Sequence, residues 1–151
     1  MRFRRFAILA LLLVGVLLGA AREFLFLNLN YQIDHKAHGR PFSYAHSLFQ
    51  AWTAGMDLAS LVRLKWVLAM VFIAAMWSLA TIMARVMVGD HRYLRLIAAL
   101  FLSAAGLALV LHLTGMPALE AVSIKLLHAL QYPVVLLVVG VALRLQRRPQ
   151  G

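Results

Sequence analysis

Glu120, Ser123, Lys125, His128, Gln131 and Tyr132 punctuate a stretch that is otherwise apolar, and Pro133 follows them directly. A carboxylate and an imidazole are the pair that general acid–base chemistry uses near neutral pH, and histidine is the side chain whose ordinary pKa lies there. Proline inside a helix removes one backbone hydrogen bond and clashes with the carbonyl four residues back, here that of Ala129, so a kink is expected at Pro133. Polar groups at membrane depth are costly, and broken helices are where membrane proteins place sites. His112 joins the set across the short connection at Gly115 and Met116. Treated as an antiparallel hairpin turning near Gly115, the chain brings His112 level with Glu120, and His128 level with Ser103. The candidate polar site is therefore His112, Glu120, His128, Gln131 and Tyr132. Its spacing sets a limit, because Glu120 and His128 stand about two turns apart, roughly 12 Å along a regular helix, and cannot touch. Two separate structural pairs are the more economical arrangement. No HExxH, HxH, DxD or GxSxG pattern occurs, and cysteine is absent, which excludes disulfides and thiolate sites. No metal or cofactor is expected.

The elements that carry these residues are long and apolar. Basic residues bracket four hydrophobic stretches, read as spans over about 6–27, 64–86, 94–114 and 118–144; about 20 helical residues cross a bilayer core of roughly 30 Å. With 151 residues, 64% of them hydrophobic, and a mean hydropathy of +0.85, no room remains for a separate soluble domain. The expected fold is all-α, a single polytopic membrane domain over 1–151 with four transmembrane helices. The first has a rival reading. Arg2, Arg4 and Arg5, an apolar core and the small residues Gly19, Ala20 and Ala21 before Arg22 resemble a cleavable secretory signal, which leaves three spans. Retention is favoured because the apolar pattern resumes at Phe24. Ala74, Ser78 and Thr81 share one stripe of the second span and Ala99, Ser103 and Gly106 one of the third, and both are read as helix-packing faces.

The connection 28–60 is the longest polar part of the chain. Asn28, Asn30, Gln32 and Asp34 alternate with Leu29, Tyr31 and Ile33, which fits a short extended segment or a helix end whose amides cap open carbonyls. Residues 35–41 read as a turn. Beyond Pro41 the period changes. Phe42, Ala45, Leu48, Phe49, Trp52, Met56 and Ala59 recur at spacings of three and four, predicting an amphipathic helix over 42–59 that lies on the outer headgroup boundary, anchored by Phe49, Trp52 and Met56.

The formal net charge is +10, but the basic residues sit in small groups at span ends, which points to membrane anchoring and away from nucleic acid. Arg2, Arg4, Arg5, Arg85, Arg92, Arg95, Arg144, Arg147 and Arg148 fall on one side. Arg22, Lys36, Arg40, Arg63, Lys65 and Lys125 fall on the other, some of them placed to snorkel. By the positive-inside rule both termini are cytoplasmic.

The run from Arg22 through Asn30, the segment Leu64-Lys65-Trp66-Val67, Arg92-Tyr93-Leu94 and Leu130-Gln131-Tyr132-Pro133 resemble small membrane proteins associated with bacterial exosortases, which carry Gln-Ser-Pro in the last span. The resemblance implies an accessory role beside an envelope-sorting enzyme and adds no catalytic residue. An accessory or assembly subunit working through membrane lipids and another membrane protein is thus the leading expectation. The alternative is a membrane-embedded enzyme or binder acting on a lipid or lipid-linked substrate at the outer leaflet through the Glu/His/Gln group. The topology has a direct check. A single cysteine at His38 should react with an impermeant maleimide in intact cells and one at His91 should not; reversed labelling discards the orientation.

Overall fold

The computed structural model describes residues 2–89 and 92–146; His91, Arg147 and Arg148 lie outside the described residues. Six helices follow one another, α1 (Arg2–His38), α2 (Ser47–Thr53), α3 (Leu58–Val88), α4 (Arg92–Leu113), α5 (Pro117–Gln131) and α6 (Val134–Gln146), and there is no strand among the described residues. Three of them, α1, α3 and α4, are long and apolar enough to cross a membrane, and α5 with α6 makes a fourth span if the bent pair is counted as one. The single span expected over 118–144 is therefore two helices, bent by 68°. The cause is Pro133. Its ring has no N–H to continue the ladder, so Tyr132 leaves the helix with an extended backbone and the Ala129 carbonyl accepts from the Tyr132 N–H at 3.4 Å instead. Neither half crosses alone, because 15 and 13 residues reach only about 22 and 20 Å.

The chain divides into two compact units. The first comprises Met1–Gly19 and Phe72–Gly151. Its core is methionine-rich: Met76, Ala80, Met83, Ala84 and Met87 of α3 meet Ile97 and Phe101 of α4, Leu130 of α5, and Leu136, Val139 and Leu143 of α6. These α3 residues fall on one helical face, Met76, Ala80, Met83 and Met87 at spacings of three and four with Ala84 beside Met83. The stripes expected to pack lie elsewhere. Ala74, Ser78, Ala99, Ser103 and Gly106 are exposed and Thr81 is half-buried, because the larger methionine and phenylalanine faces carry the internal packing.

Helix α1 enters this unit through Gly15 and Gly19, a GxxxG pair one turn apart. A Cβ on Gly15 would stand 2.5 Å from the Leu136 side chain, and one on Gly19 would stand 3.0 Å from Pro133 Cδ. The absent side chains let the proline bend lie against the helix backbone. The hairpin between α4 and α5 turns on Gly115, whose φ of +66° suits glycine at the end of a helix. Ser123, buried on α5, closes the hairpin by donating to the Ala108 carbonyl of α4 at 2.6 Å.

The second unit, Ala20–Val71, contains the C-terminal part of α1, α2 and the start of α3. The helix expected over 42–59 covers only Ser47–Thr53. Its apolar residues also divide between two faces. Ala45 and Phe49 are buried with Leu29 and Leu61, and Met56 packs against them, whereas Phe42, Leu48 and Trp52 are exposed. Phe49 is thus a core residue and not an interfacial anchor. Residues 28–38 are helical; their alternation of amides and apolar side chains is also two helical stripes, Leu25-Leu29-Ile33 facing the core and Asn28-Gln32-Lys36 beside it. Asp57 starts α3 by accepting from the Ser60 N–H at 2.8 Å, and this cap holds its carboxyl below the usual carboxylate range.

Gly19→Leu and Gly15→Leu should each lower the stability of the purified protein by about 1–3 kcal/mol, the ordinary cost of overpacking, when denaturant unfolding is followed in detergent micelles. Unfolding midpoints equal to the parent's would show that α1 does not pack on the proline bend.

Candidate functional site

The polar residues of unit Ala20–Val71 form the most developed arrangement in the described residues. Asn28, Gln32 and Lys36 are four apart on α1 and so stack on one face. Each reaches a different point of the following connection. Asn28 donates to the Phe24 carbonyl at 2.7 Å and accepts from the His46 N–H at the start of α2. Gln32 Nε2 donates to Thr53 Oγ1 at 2.8 Å, at the end of α2. Lys36 Nζ donates to the Met56 carbonyl at 2.6 Å. Gln50 secures the near side, its amide nitrogen donating to the carbonyls of Ser43 and Ala45. At the tip, Asp34 pairs with His38 and Arg40 at 3.0 and 3.1 Å, exposed contacts worth little individually.

These bonds leave a cavity of about 510 Å³ between the last turns of α1 and the connection. Gln32, His35, Lys36, Ser43 and Gln50 supply its polar lining, and Pro41 and Phe42 supply apolar wall. Two buried polar atoms here have no hydrogen-bond partner, Gln32 Oε1 and His35 Nδ1. The orientation of the Gln32 amide follows from its neighbour. Thr53 Oγ1 donates its one proton to the Phe49 carbonyl, 2.8 Å away, and accepts from Gln32, whose amide nitrogen faces it. Gln32 itself is 4% exposed, which makes its oxygen a buried acceptor.

The site expected from the sequence is distributed differently. His112 and Glu120 do meet across the α4–α5 turn, Nδ1 to Oε1 at 3.7 Å, with both side chains partly exposed. His128 is exposed two turns further along α5, and the Ser103 hydroxyl donates to its own Leu100 carbonyl at 3.1 Å. Gln131 is buried at the bend and Tyr132 is half-buried. Tyr132 borders an apolar cleft of about 350 Å³ whose other walls are Leu100, Ala129 and valines of α6. Among the described residues no three His, Cys, Asp or Glu side chains gather as metal ligands. Sequence reasoning missed two features with readable signals: the Gly15/Gly19 pair, and the spacing of four that links Asn28, Gln32 and Lys36.

Arg22 is also buried, 2% exposed, with its guanidinium 4.6 Å from the Phe26 ring centre and Nη1 3.1 Å from the Glu23 carboxylate. It packs against these neighbours.

Comparison of the chain with protein families, curated proteins and solved structures returned no match.

Thr53→Val keeps the shape of the α2 end but removes the acceptor of Gln32 and leaves its amide buried without that bond. A loss of about 1–3 kcal/mol is expected by denaturant unfolding, the cost of an unsatisfied buried group. An unchanged midpoint would mean that the Gln32–Thr53 bond contributes nothing to holding α2.

Proposed function

We propose that this is a multi-pass protein of the bacterial inner membrane, with both termini cytoplasmic and the connection 28–60 outside. It acts as an accessory or assembly subunit through contact with a second membrane protein and with lipid. The observation that carries this reading is the surface of α4. Ala99, Ser103 and Gly106 are exposed, the Ser103 hydroxyl is folded back onto its own helix, and a Cβ at Gly106 would meet nothing within 4 Å. In lipid, where apolar side chains gain nothing by leaving the acyl chains for one another, small residues allow close backbone approach between helices. Ala74 and Ser78 give α3 a similar exposed pair, the Ser78 hydroxyl donating to the Ala74 carbonyl at 2.8 Å.

The polar groups of the α4–α5 hairpin support the same reading. Ser123 joins α4 to α5, and His112 and Glu120 flank their turn, so these side chains serve the chain's own packing. Exposed Phe42, Leu48 and Trp52 suit a headgroup boundary beside the connection. The resemblance to exosortase-associated membrane proteins makes envelope protein sorting the process in which such a subunit works.

A photo-crosslinking residue at Ser103 in living cells should give one discrete protein adduct. Gly106→Leu, whose new side chain meets open space, should remove that adduct while shifting stability by no more than about 0.5 kcal/mol. Crosslinking to lipid alone, or an adduct indifferent to Gly106→Leu, would overturn the reading.

A further inference from the structure

We propose that the cavity at the C-terminal end of α1 binds a hydroxyl-bearing ring, a sugar unit presented either free or as the head of a glycolipid. The inference is independent of the partner reading of α4. It starts from an imbalance in hydrogen bonding. Buried polar atoms in folded proteins almost always have a partner, yet Gln32 Oε1 and His35 Nδ1 have none and both residues line the same cavity. The Gln32 oxygen can only accept, and with the Thr53 proton on the Phe49 carbonyl the amide keeps its nitrogen toward Thr53 and its oxygen free. His35 Nδ1 donates or accepts according to its tautomer. Lys36 is a donor on the same wall; its bond to the Met56 carbonyl uses one of three protons.

These groups select among ligand chemistries. A simple anion suits Lys36 but offers no proton to Gln32 Oε1. A simple cation satisfies Gln32 Oε1 but meets the Lys36 ammonium. A hydrocarbon leaves every polar group unpaired. A hydroxyl donates and accepts at one atom, and neighbouring hydroxyls on a ring can answer Gln32, His35 and Lys36 together. The apolar side of the cavity agrees with this choice. Phe42 is 75% exposed and stands with Pro41 on the wall, giving the C–H face of a sugar ring a surface to pack on. The volume, about 510 Å³, lies within the range of small-molecule sites. Gln50, whose nitrogen is committed to the Ser43 and Ala45 carbonyls, also lines the cavity.

The test uses the full chain purified in a zwitterionic detergent, because detergents with sugar heads would compete. Methyl glucoside, methyl mannoside and methyl galactoside are the free probes, followed by saturation-transfer NMR. Phosphatidylglycerol nanodiscs with and without glucosyl diacylglycerol are the lipid arm, followed by native mass spectrometry of the released complex. At least one sugar probe should bind. His35→Ala removes an unpartnered nitrogen and Phe42→Ala an exposed ring, so each should weaken binding by roughly tenfold or more, the scale of one lost polar or stacking contact, with the melting temperature unchanged. If His35→Ala does not fold, Phe42→Ala decides. Binding only in nanodiscs identifies a glycolipid, and binding only of methyl glycosides identifies a free sugar. The proposal is overturned by the absence of binding in both arms, by binding that survives the substitutions, or by selective binding of inorganic phosphate or phosphoethanolamine in place of the sugars.

Discussion

Three polar side chains one turn apart on α1 hold the connection that follows it. Asn28, Gln32 and Lys36 bond to His46, Thr53 and Met56, so the chain that leaves α1 at Gly39 is fastened at three points before α3 begins. The apolar contacts beneath are few: Leu29, Ala45, Phe49 and Leu61 are the buried set. A seven-residue helix such as α2 is far too short to be stable by itself. Its persistence depends on anchoring at both ends, by Asn28 at the first turn and by Gln32 at the last. The same ladder creates the cavity, since it fixes the Gln32 amide with its oxygen unpaired and sets His35 on the wall beside it.

In the unit made by Met1–Gly19 and Phe72–Gly151, a different constraint operates. Pro133 breaks the last apolar stretch, and the resulting bend must be covered by something without side chains in the way. Gly15 and Gly19 provide that surface. The bend in turn frees Leu136, Val139 and Leu143 of α6 to enter the methionine-rich core with α3. Methionine suits such a junction, being flexible enough to fill irregular gaps between helices that meet at unequal angles.

Much of this was legible in the residues. Apolar length identified the helices long enough to cross a membrane, Pro133 identified the break, and Gly115 fixed a turn tight enough to place His112 beside Glu120. Other parts were not. The alternation at 28–34 is compatible with period two and with stripes at spacing four, and only tertiary packing decides; Leu29 is needed in a core that includes Phe49, far along the chain. The apolar residues over 42–59 recur at helical spacing, yet Ala45, Phe49 and Met56 serve the protein's own core while Phe42, Leu48, Trp52 and Ala59 face outward, and α2 covers only Ser47–Thr53, a division no single helix face encodes. Which side of α4 packs inward was likewise invisible, because small residues and large ones both make acceptable helix contacts. The cavity has no motif. It arises from Gln32 and His35 on one helix meeting Ser43 and Gln50 from a separate segment, a juxtaposition created by the ladder.

The central claim is that side chains of α1 fold the connection into a fixed structure. Hydrogen exchange followed by mass spectrometry over residues 43–57 measures it most directly, with the parent compared to a chain carrying Asn28→Leu. The account predicts that the parent protects these amides, the His46 N–H that bonds Asn28 among them, and that the substitution releases the whole segment together. Exchange in the parent as fast as an unstructured peptide, or protection indifferent to Asn28→Leu, would contradict it.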